Sequence, residues 1–132
     1  MKTALIAPCG MNCRLCIAYI RDKNPCAGCF LIDPYRQKTR VNCRIRICKK
    51  RKQKNSKYCY DCDEFPCPRM KQLDKRYRTK YSMSMIENLE FIKKSGIRKF
   101  VGREKERWAC PKCGYFLSVH RDNCPSCNHK WR

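Results

Sequence analysis

Apolar residues recur at helical spacing in the second half of the chain. Between residues 82 and 108 many are separated by three or four positions, as in Met85, Ile86, Leu89 and Ile92. This period predicts a helix with one apolar side. Ser84 and Glu87 form a capping box at its start, and Gly96 ends it. A second helix is predicted from Ile97 into Arg107.

The first half of the chain has shorter patterns. Asn12 is suited to cap a short helix from Cys13 to Arg21. Pro68 suits the first position of another helix, which is predicted to end at about Arg78. Residues 43–48 alternate apolar and basic side chains, a pattern that predicts either a half-exposed strand or the start of a helix.

The clearest chemistry lies in two Cys-x-x-Cys pairs near the C-terminus, formed by Cys110, Cys113, Cys124 and Cys127. Four thiolates complete a tetrahedral zinc site. Gly114 and Asn128 follow the two pairs and tolerate the positive φ that such a turn requires. The alternative is two redox disulfides, but these are expected beside a βαβ pattern, which is not visible here. The sequence therefore predicts a zinc ribbon.

The residues between the two pairs complete this prediction. Residues 115–120 are aromatic and β-branched, which predicts a short strand, and residues 121–123 turn the chain back. The ribbon is thus predicted to contain a short β-hairpin. His120 and His129 are expected to lie outside the metal shell, because four cysteines already fill it.

Cysteine usage and compartment favour metal over disulfides elsewhere as well. Fourteen of the 132 residues are cysteine, which is typical of a disulfide or metal scaffold. The apolar run in residues 1–8 is too short for a signal peptide, and no run approaches the length of a membrane span. A cytoplasmic location without membrane contact is predicted, where clustered cysteines are more often metal ligands.

The ten remaining cysteines suggest two further quartets. The first is Cys13, Cys16, Cys26 and Cys29, and the second is Cys43, Cys48, Cys59 and Cys62. With the ribbon they would give about three zinc sites. Asp63 follows its pair as Gly114 does, and it too is expected to tolerate positive φ.

Two cysteines remain, Cys9 and Cys67, which are candidates for additional metal ligands or reactive thiols. An iron–sulfur cluster that uses part of the N-terminal cysteines is the alternative to zinc. The spacing of Cys9, Cys13 and Cys16 also occurs in radical S-adenosylmethionine enzymes, but this chain is too short for the barrel that they need.

The chain is strongly basic. It has 32 Lys and Arg against 11 Asp and Glu, a formal charge of +21, which three zinc–thiolate sites would lower to about +15. Such a charge favours polyanions such as RNA or DNA. The predicted contacts are Arg44, Arg46, Lys49, Lys50, Arg51, Lys52 and Lys54, with tyrosines 35, 58, 60, 77 and 81 available to stack on bases. The alternative is a solvated basic surface.

Several motifs together resemble a known family. They are C-G-x-x-C-x-x-C at residues 9–16, C-x-G-C at 26–29, C-R-I at 43–45 and Y-C-x-x-C-x-E-F-P-C at 58–67. The chain resembles, over about residues 5–105, the uncharacterised cysteine-rich family known as domain of unknown function 3795. The resemblance implies a small metal-binding protein and supplies no catalytic residues.

The predicted architecture is a small, metal-bound α+β protein. An irregular, α-rich cysteine module (1–81) leads through a helical connector (82–108) into the zinc ribbon (109–132). The favoured function is a basic zinc-binding module that associates with nucleic acid or with a protein partner; the alternative is an iron–sulfur, redox or metal-handling protein. No small-molecule substrate and no catalytic constellation are recognised, which argues against an enzyme.

Overall fold

The computed structural model describes residues 1–30 and 43–132, which form a small, helix-rich protein. Its α-helices are α1 (Ile17–Ile20), α2 (Lys49–Gln53), α3 (Pro68–Tyr81), α4 (Met85–Ser95) and α5 (Ile97–Arg107). Short 3-10 turns cover Thr3–Leu5, Cys13–Leu15 and Cys59–Asp61. None of the helices in these ranges has the length and apolar composition needed to cross a membrane.

The helices of the second half begin and end where the sequence predicts. Ser84 Oγ accepts the Glu87 N–H at 3.1 Å at the start of α4, and Gly96, at φ +92°, separates α4 from α5. Helix α3 begins at Pro68 but continues three residues beyond the predicted end. In this extra turn the Tyr81 ring lies on the His120 ring, with centroids 4.8 Å apart.

The predicted helix from Cys13 to Arg21 is interrupted. Asn12 Oδ1 accepts the Arg14 N–H at 3.2 Å, as a cap should. However, Cys16 has extended backbone angles and separates a 3-10 turn from α1. In a continuous helix the Ile17 N–H would bond to the carbonyl of Cys13. It instead points to His120 Nδ1 at 3.4 Å, so a contact from the far end of the chain replaces the helical bond.

The predicted β-hairpin of the ribbon is not confirmed. In the described ranges, β-structure is limited to isolated antiparallel bridges, two of which lie in the ribbon, at Ala109–Phe116 and Asn123–Lys130. The middle of the predicted strand pairs elsewhere, because the Val119 N–H and the Ser118 hydroxyl both donate to the carbonyl of Leu15, each at 3.0 Å. The ribbon segment therefore folds on itself through these bridges and also joins the N-terminal module through Ser118 and Val119.

One apolar core runs through all three predicted segments. It includes Leu5, Met11, Leu15 and Met70 from the N-terminal module, Met83, Met85, Leu89 and Trp108 from the connector, and Leu117 and Val119 from the ribbon. The boundaries at residues 81 and 108 remain a prediction, but the segments that they separate share their buried surface.

A buried carboxylate joins α3 to the start of α4. Asp74 Oδ1 accepts the Ser84 hydroxyl at 2.6 Å and the Ile86 N–H at 3.0 Å, while Oδ2 accepts Arg78 Nε at 2.6 Å. Burial opposes ionisation, but these hydrogen bonds outweigh it and lower the pKa of Asp74. The Ser84 cap is therefore completed by Asp74 from another helix.

We predict that Asp74→Asn lowers the free energy of unfolding at pH 7 by about 1–3 kcal/mol, because a buried charge-assisted network is lost. A carboxylate whose pKa is lower in the folded than in the unfolded chain contributes its full stabilisation at pH values above the unfolded pKa. This contribution is lost as the pH falls through the folded pKa. The difference between variant and wild type in urea unfolding should therefore shrink below about pH 4. Asp122→Asn, at a more exposed ion pair with Arg132, should cost under about 1 kcal/mol. A difference for Asp74→Asn that is constant with pH would contradict this account.

Gly10, in the first cysteine motif, lies directly against α4. Its φ is +87°, and a Cβ at this position would stand 2.9 Å from the Met85 carbonyl oxygen and 3.0 Å from Leu89 Cγ. Its own carbonyl accepts Asn88 Nδ2 at 3.0 Å. The glycine of the motif is thus required by close packing as well as by backbone conformation.

Gly10→Ala should therefore lower the free energy of unfolding by about 2–5 kcal/mol, from backbone strain plus overpacking. Gly102 is the matched control: it is exposed within α5, and a Cβ there would meet no atom within 4 Å. Gly102→Ala should raise stability by about 0.5–1 kcal/mol, through helix propensity. Denaturation curves that leave Gly10→Ala as stable as wild type would show that this packing is wrong.

Candidate metal centres

Two similar backbone turns position the ribbon cysteines. In the first, the Gly114 N–H donates to the Cys110 carbonyl at 2.9 Å, and the Cys110 N–H donates to the Tyr115 carbonyl at 2.8 Å. In the second, Asn128 and His129 make the corresponding bonds with Cys124, at 3.0 and 2.8 Å. Gly114 and Asn128 have φ of +77° and +60°, which confirms the conformation predicted for both. Asp63 is not among the described residues with positive φ, so that part of the prediction is wrong.

The four ribbon thiols have the geometry of a metal site. The Sγ atoms of Cys110, Cys113, Cys124 and Cys127 all lie within 4.8 Å of one another. The Sγ–Sγ distance is 3.7 Å both between Cys110 and Cys127 and between Cys113 and Cys124. A metal–sulfur bond of about 2.3 Å in a tetrahedron gives a sulfur–sulfur edge of about 3.8 Å. These cysteines could therefore hold one metal ion without rearrangement.

Backbone N–H groups point at the sulfurs of both turns. The Lys112 N–H donates to Cys110 Sγ and the Ser126 N–H to Cys124 Sγ, each at 3.4 Å. Burial disfavours the thiolate of Cys110, but backbone N–H groups and neighbouring thiols outweigh it and lower its pKa to about 7. Such a ligand ionises readily near neutral pH, which favours metal capture.

His120 serves a structural role that the sequence does not reveal. Its Nδ1 faces the Ile17 N–H, and its Nε2 lies 3.0 Å from Tyr77 Oη. With Nδ1 as acceptor, the neutral ring carries its proton on Nε2, which donates to the tyrosine oxygen. His120 therefore links the ribbon to α1 and α3, and neither of its ring nitrogens faces the metal site.

The first predicted N-terminal quartet is only partly assembled. Cys13 Sγ lies 3.8 Å from Cys29 Sγ, which fits an edge of a metal site. Cys16 and Cys26 do not join them in a compact group: in the described ranges, the ribbon is the one set of three or more ligand residues within 4.8 Å of one another. The hydrogen bond that the Cys13 thiol donates to Cys29, followed by burial, raises the pKa of Cys13, and burial raises that of Cys16. Shared binding by these four cysteines remains a prediction.

The second predicted quartet lies only partly around one cavity, and shared binding by its four cysteines remains a prediction. Cys48, Cys59 and Cys62 line one cavity together with Cys67, whereas Cys43 is not among its lining residues. Burial, opposed by the charge of Arg51, raises the pKa of Cys59 to about 12. Burial and then Cys29 raise the pKa of Cys9, to which Cys43 makes a smaller contribution. Cys59 also contributes to the raised pKa of Cys9, and more than Cys43 does.

The cysteine module has relatives. The family described as "protein of unknown function (DUF3795)" matches residues 5–72, about half of the chain. The chain belongs to this family. No curated protein and no solved structure matches it. The DUF3795 match contains all ten N-terminal cysteines and ends within α3. Helices α4 and α5 and the ribbon therefore lie outside it. The match is shorter than the resemblance predicted from the motifs, which extends to about residue 105.

The basic residues of the DUF3795 segment divide into structural and exposed groups. Arg51 is 6% exposed, and its guanidinium donates to the carbonyls of Arg46 and Ser56 at 2.5 and 3.0 Å. It is therefore unavailable as a polyanion contact, although the sequence predicts it as one. Lys50 pairs with Glu64 and Lys54 with Asp63. Arg44, Lys49 and Lys52 are exposed, and Arg46 is half-buried. Tyr35 lies outside the described residues.

Helix α3 carries a basic face that the sequence analysis did not select. Its exposed side chains include Arg69, Lys71, Lys75, Arg76, Arg78 and Lys80, whereas its one acidic residue, Asp74, is buried. The sequence shows this basic composition as six cations among the twelve residues 69–80. The face was missed because Asp74 and Tyr77 interrupt the run, and their burial is visible only in the fold.

Metal binding at the ribbon can be tested through the fluorescence emission of two nearby tryptophans. The two tryptophans of the chain, Trp108 and Trp131, pack edge to face beside the ribbon, with ring centroids 5.7 Å apart. We predict that Cys113→Ser, at the exposed ribbon cysteine, removes about one bound metal ion and shifts tryptophan emission to the red, because metal binding is coupled to folding.

Lys112→Gln, in the same turn, is the control and should keep both the metal and the emission of the wild type. Metal content measured by mass spectrometry after dialysis, together with the emission spectrum, gives the result. Full retention of metal in Cys113→Ser would exclude the ribbon as a four-thiolate site.

Proposed function

We propose that this chain is a zinc-stabilised module that binds nucleic acid through the exposed face of α3. The observation that carries the proposal is the composition of that face, which presents six cations and no exposed acid over a helix about 21 Å long. The ribbon and the apolar core hold the helix in place, and the helix supplies the contact.

The ribbon is proposed to hold zinc as a structural ion. Four cysteine ligands leave no open position for a substrate, which is the arrangement of a structural zinc site. Sulfur–sulfur distances of 3.7 Å support this assignment, because they match the edge of a zinc–thiolate tetrahedron of about 3.8 Å. The zinc would fix the ribbon surface that packs against α3 through His120 and Tyr77.

The charge on α3 fits phosphate contacts in particular. Lysine and arginine side chains bind the nucleic-acid backbone without reading bases. The basic surface extends past the start of the helix, because Arg44, Lys49 and Arg69 line the same cavity. Arg78 is the exception on the face, since its Nε is held by Asp74.

The surroundings of the tyrosines favour binding to the nucleic-acid backbone over stacking on bases. Tyr77 is 5% exposed and is already bonded to His120. Tyr58 and Tyr60 stack on each other with ring centroids 5.6 Å apart, and Phe30 packs on Tyr58. Binding should therefore show little sequence preference and a strong dependence on salt.

We predict that the chain binds single-stranded RNA or DNA at low salt, with an affinity that falls linearly on a plot of log K against log salt. Replacing Lys71, Lys75, Arg76 and Lys80 by glutamine should weaken binding and reduce the slope by at most about 3, since each lost phosphate contact contributes about 0.7. Fluorescence anisotropy over a salt series measures both quantities.

The control removes the same charge from another exposed surface, by replacing Lys93, Lys94, Arg98 and Lys99 at the turn between α4 and α5 with glutamine. A general electrostatic attraction would weaken equally in both variants, which would refute a specific role of α3. Absence of binding by the wild type at low salt would refute nucleic-acid binding altogether. The tryptophan emission should be unchanged in both variants.

A further inference from the structure

A second group of thiols lies outside the ribbon and around a cavity. We propose that Cys48, Cys59, Cys62 and Cys67 hold an iron–sulfur cluster of the [4Fe–4S] type. This set differs from the predicted quartet, because it replaces Cys43 by Cys67. It is also independent of nucleic-acid binding by α3.

The cavity brings together four cysteines that three structural elements supply. Its volume is about 570 Å³, and these are the four cysteines that line it. Cys48 precedes α2, Cys59 opens a 3-10 turn that Cys62 ends, and Cys67 precedes the first residue of α3. All four side chains are therefore positioned by the ends of helices or turns.

The spacing of these thiols favours a cluster over a single ion. The ribbon sulfurs lie within 4.8 Å of one another, but no three of the cavity cysteines do so. One tetrahedral ion requires sulfur–sulfur distances of about 3.8 Å. A [4Fe–4S] cluster binds four cysteines through four different iron atoms, so its thiolates stand farther apart and enclose a volume. A cavity between separated thiols is the arrangement that such a cluster needs.

The charge around the cavity also fits an anionic cluster. Arg44, Lys49, Lys50 and Arg69 are among its lining residues, against one acid, Glu64, which pairs with Lys50. Cys67 is the N-cap of the 14-residue helix α3, and the N-terminal end of a helix carries a partial positive charge. Ile45, Ile47 and Met70 contribute an apolar part of the cavity wall.

The position of Cys43 separates this proposal from the predicted quartet. Cys43 is not among the residues that line the cavity, whereas Cys67 is. Cys67→Ser and Cys43→Ser therefore form a discriminating pair. If the cavity holds the cluster, the first variant loses a ligand and the second does not.

The experiment uses the full chain, purified without oxygen and reconstituted with sulfide and equal amounts of ferrous and ferric iron, because a [4Fe–4S]2+ cluster contains both. We expect about four iron and four sulfide per chain in this site, visible absorption from thiolate-to-iron charge transfer, and an electron paramagnetic resonance signal after reduction by dithionite. Cys67→Ser should lose this iron and the signal, whereas Cys43→Ser should retain them. Cys113→Ser in the ribbon should lose zinc but keep the iron.

Tryptophan emission and ribbon zinc serve as the check on folding, because both tryptophans lie near the ribbon and away from the cavity. Zinc as the sole metal lost from Cys67→Ser would overturn the cluster assignment. Iron that persists in Cys67→Ser, or that is lost with Cys43→Ser, would overturn the ligand set. Failure of wild type to take up iron and sulfide would overturn the site.

Discussion

The attachment of the ribbon to the N-terminal module depends on the carbonyl of Leu15. Two donors of the ribbon segment, the Val119 N–H and the Ser118 hydroxyl, share this acceptor in a buried position. One buried hydrogen bond contributes only about 1 kcal/mol net, but an unsatisfied donor costs about 1–3 kcal/mol. The Leu15 carbonyl and its two ribbon donors therefore strongly restrict each other's positions. His120 strengthens the attachment through Ile17 and Tyr77, so that residues more than 100 positions apart determine where the first helix breaks.

That dependence explains which elements could be predicted. Helices α4 and α5 have local signals, namely the Ser84 cap, the period of Leu89 and Ile92, and the Gly96 stop, and each is correct in the structure. Residues 115–120 have the composition of a strand, but composition does not identify the residues that pair with it. Phe116 bridges to Ala109, whereas Ser118 and Val119 bond to the carbonyl of Leu15. Arg51 resembles its neighbours in a basic run, yet its burial depends on carbonyls that only the folded loop brings together.

The same limit applies to the cysteines. The ribbon was predictable because its four ligands lie within eighteen residues and each pair is followed by a residue suited to positive φ. The remaining ten cysteines are distributed over turns whose relative positions depend on the core. Spacing alone grouped Cys43 with Cys48, whereas Cys67, and not Cys43, lines the same cavity as Cys48. A cysteine's position in sequence therefore says little about its metal when the connecting chain is irregular.

Helix α3 would connect the proposed cluster with the proposed nucleic-acid face. Distances along the helix decide how strongly one affects the other. Its N-cap, Cys67, is a proposed cluster ligand, and its exposed side presents the proposed nucleic-acid face. An anionic cluster would offset the charge of Arg69 within the first turn. Lys75 and Lys80 lie about 12 and 20 Å along the helix axis from Cys67, beyond the Debye length of about 8 Å at physiological salt. The electrostatic effect of the cluster on them is therefore small. Its larger effect would be mechanical, because a metal-bound Cys67 fixes the first turn of the helix that carries these side chains.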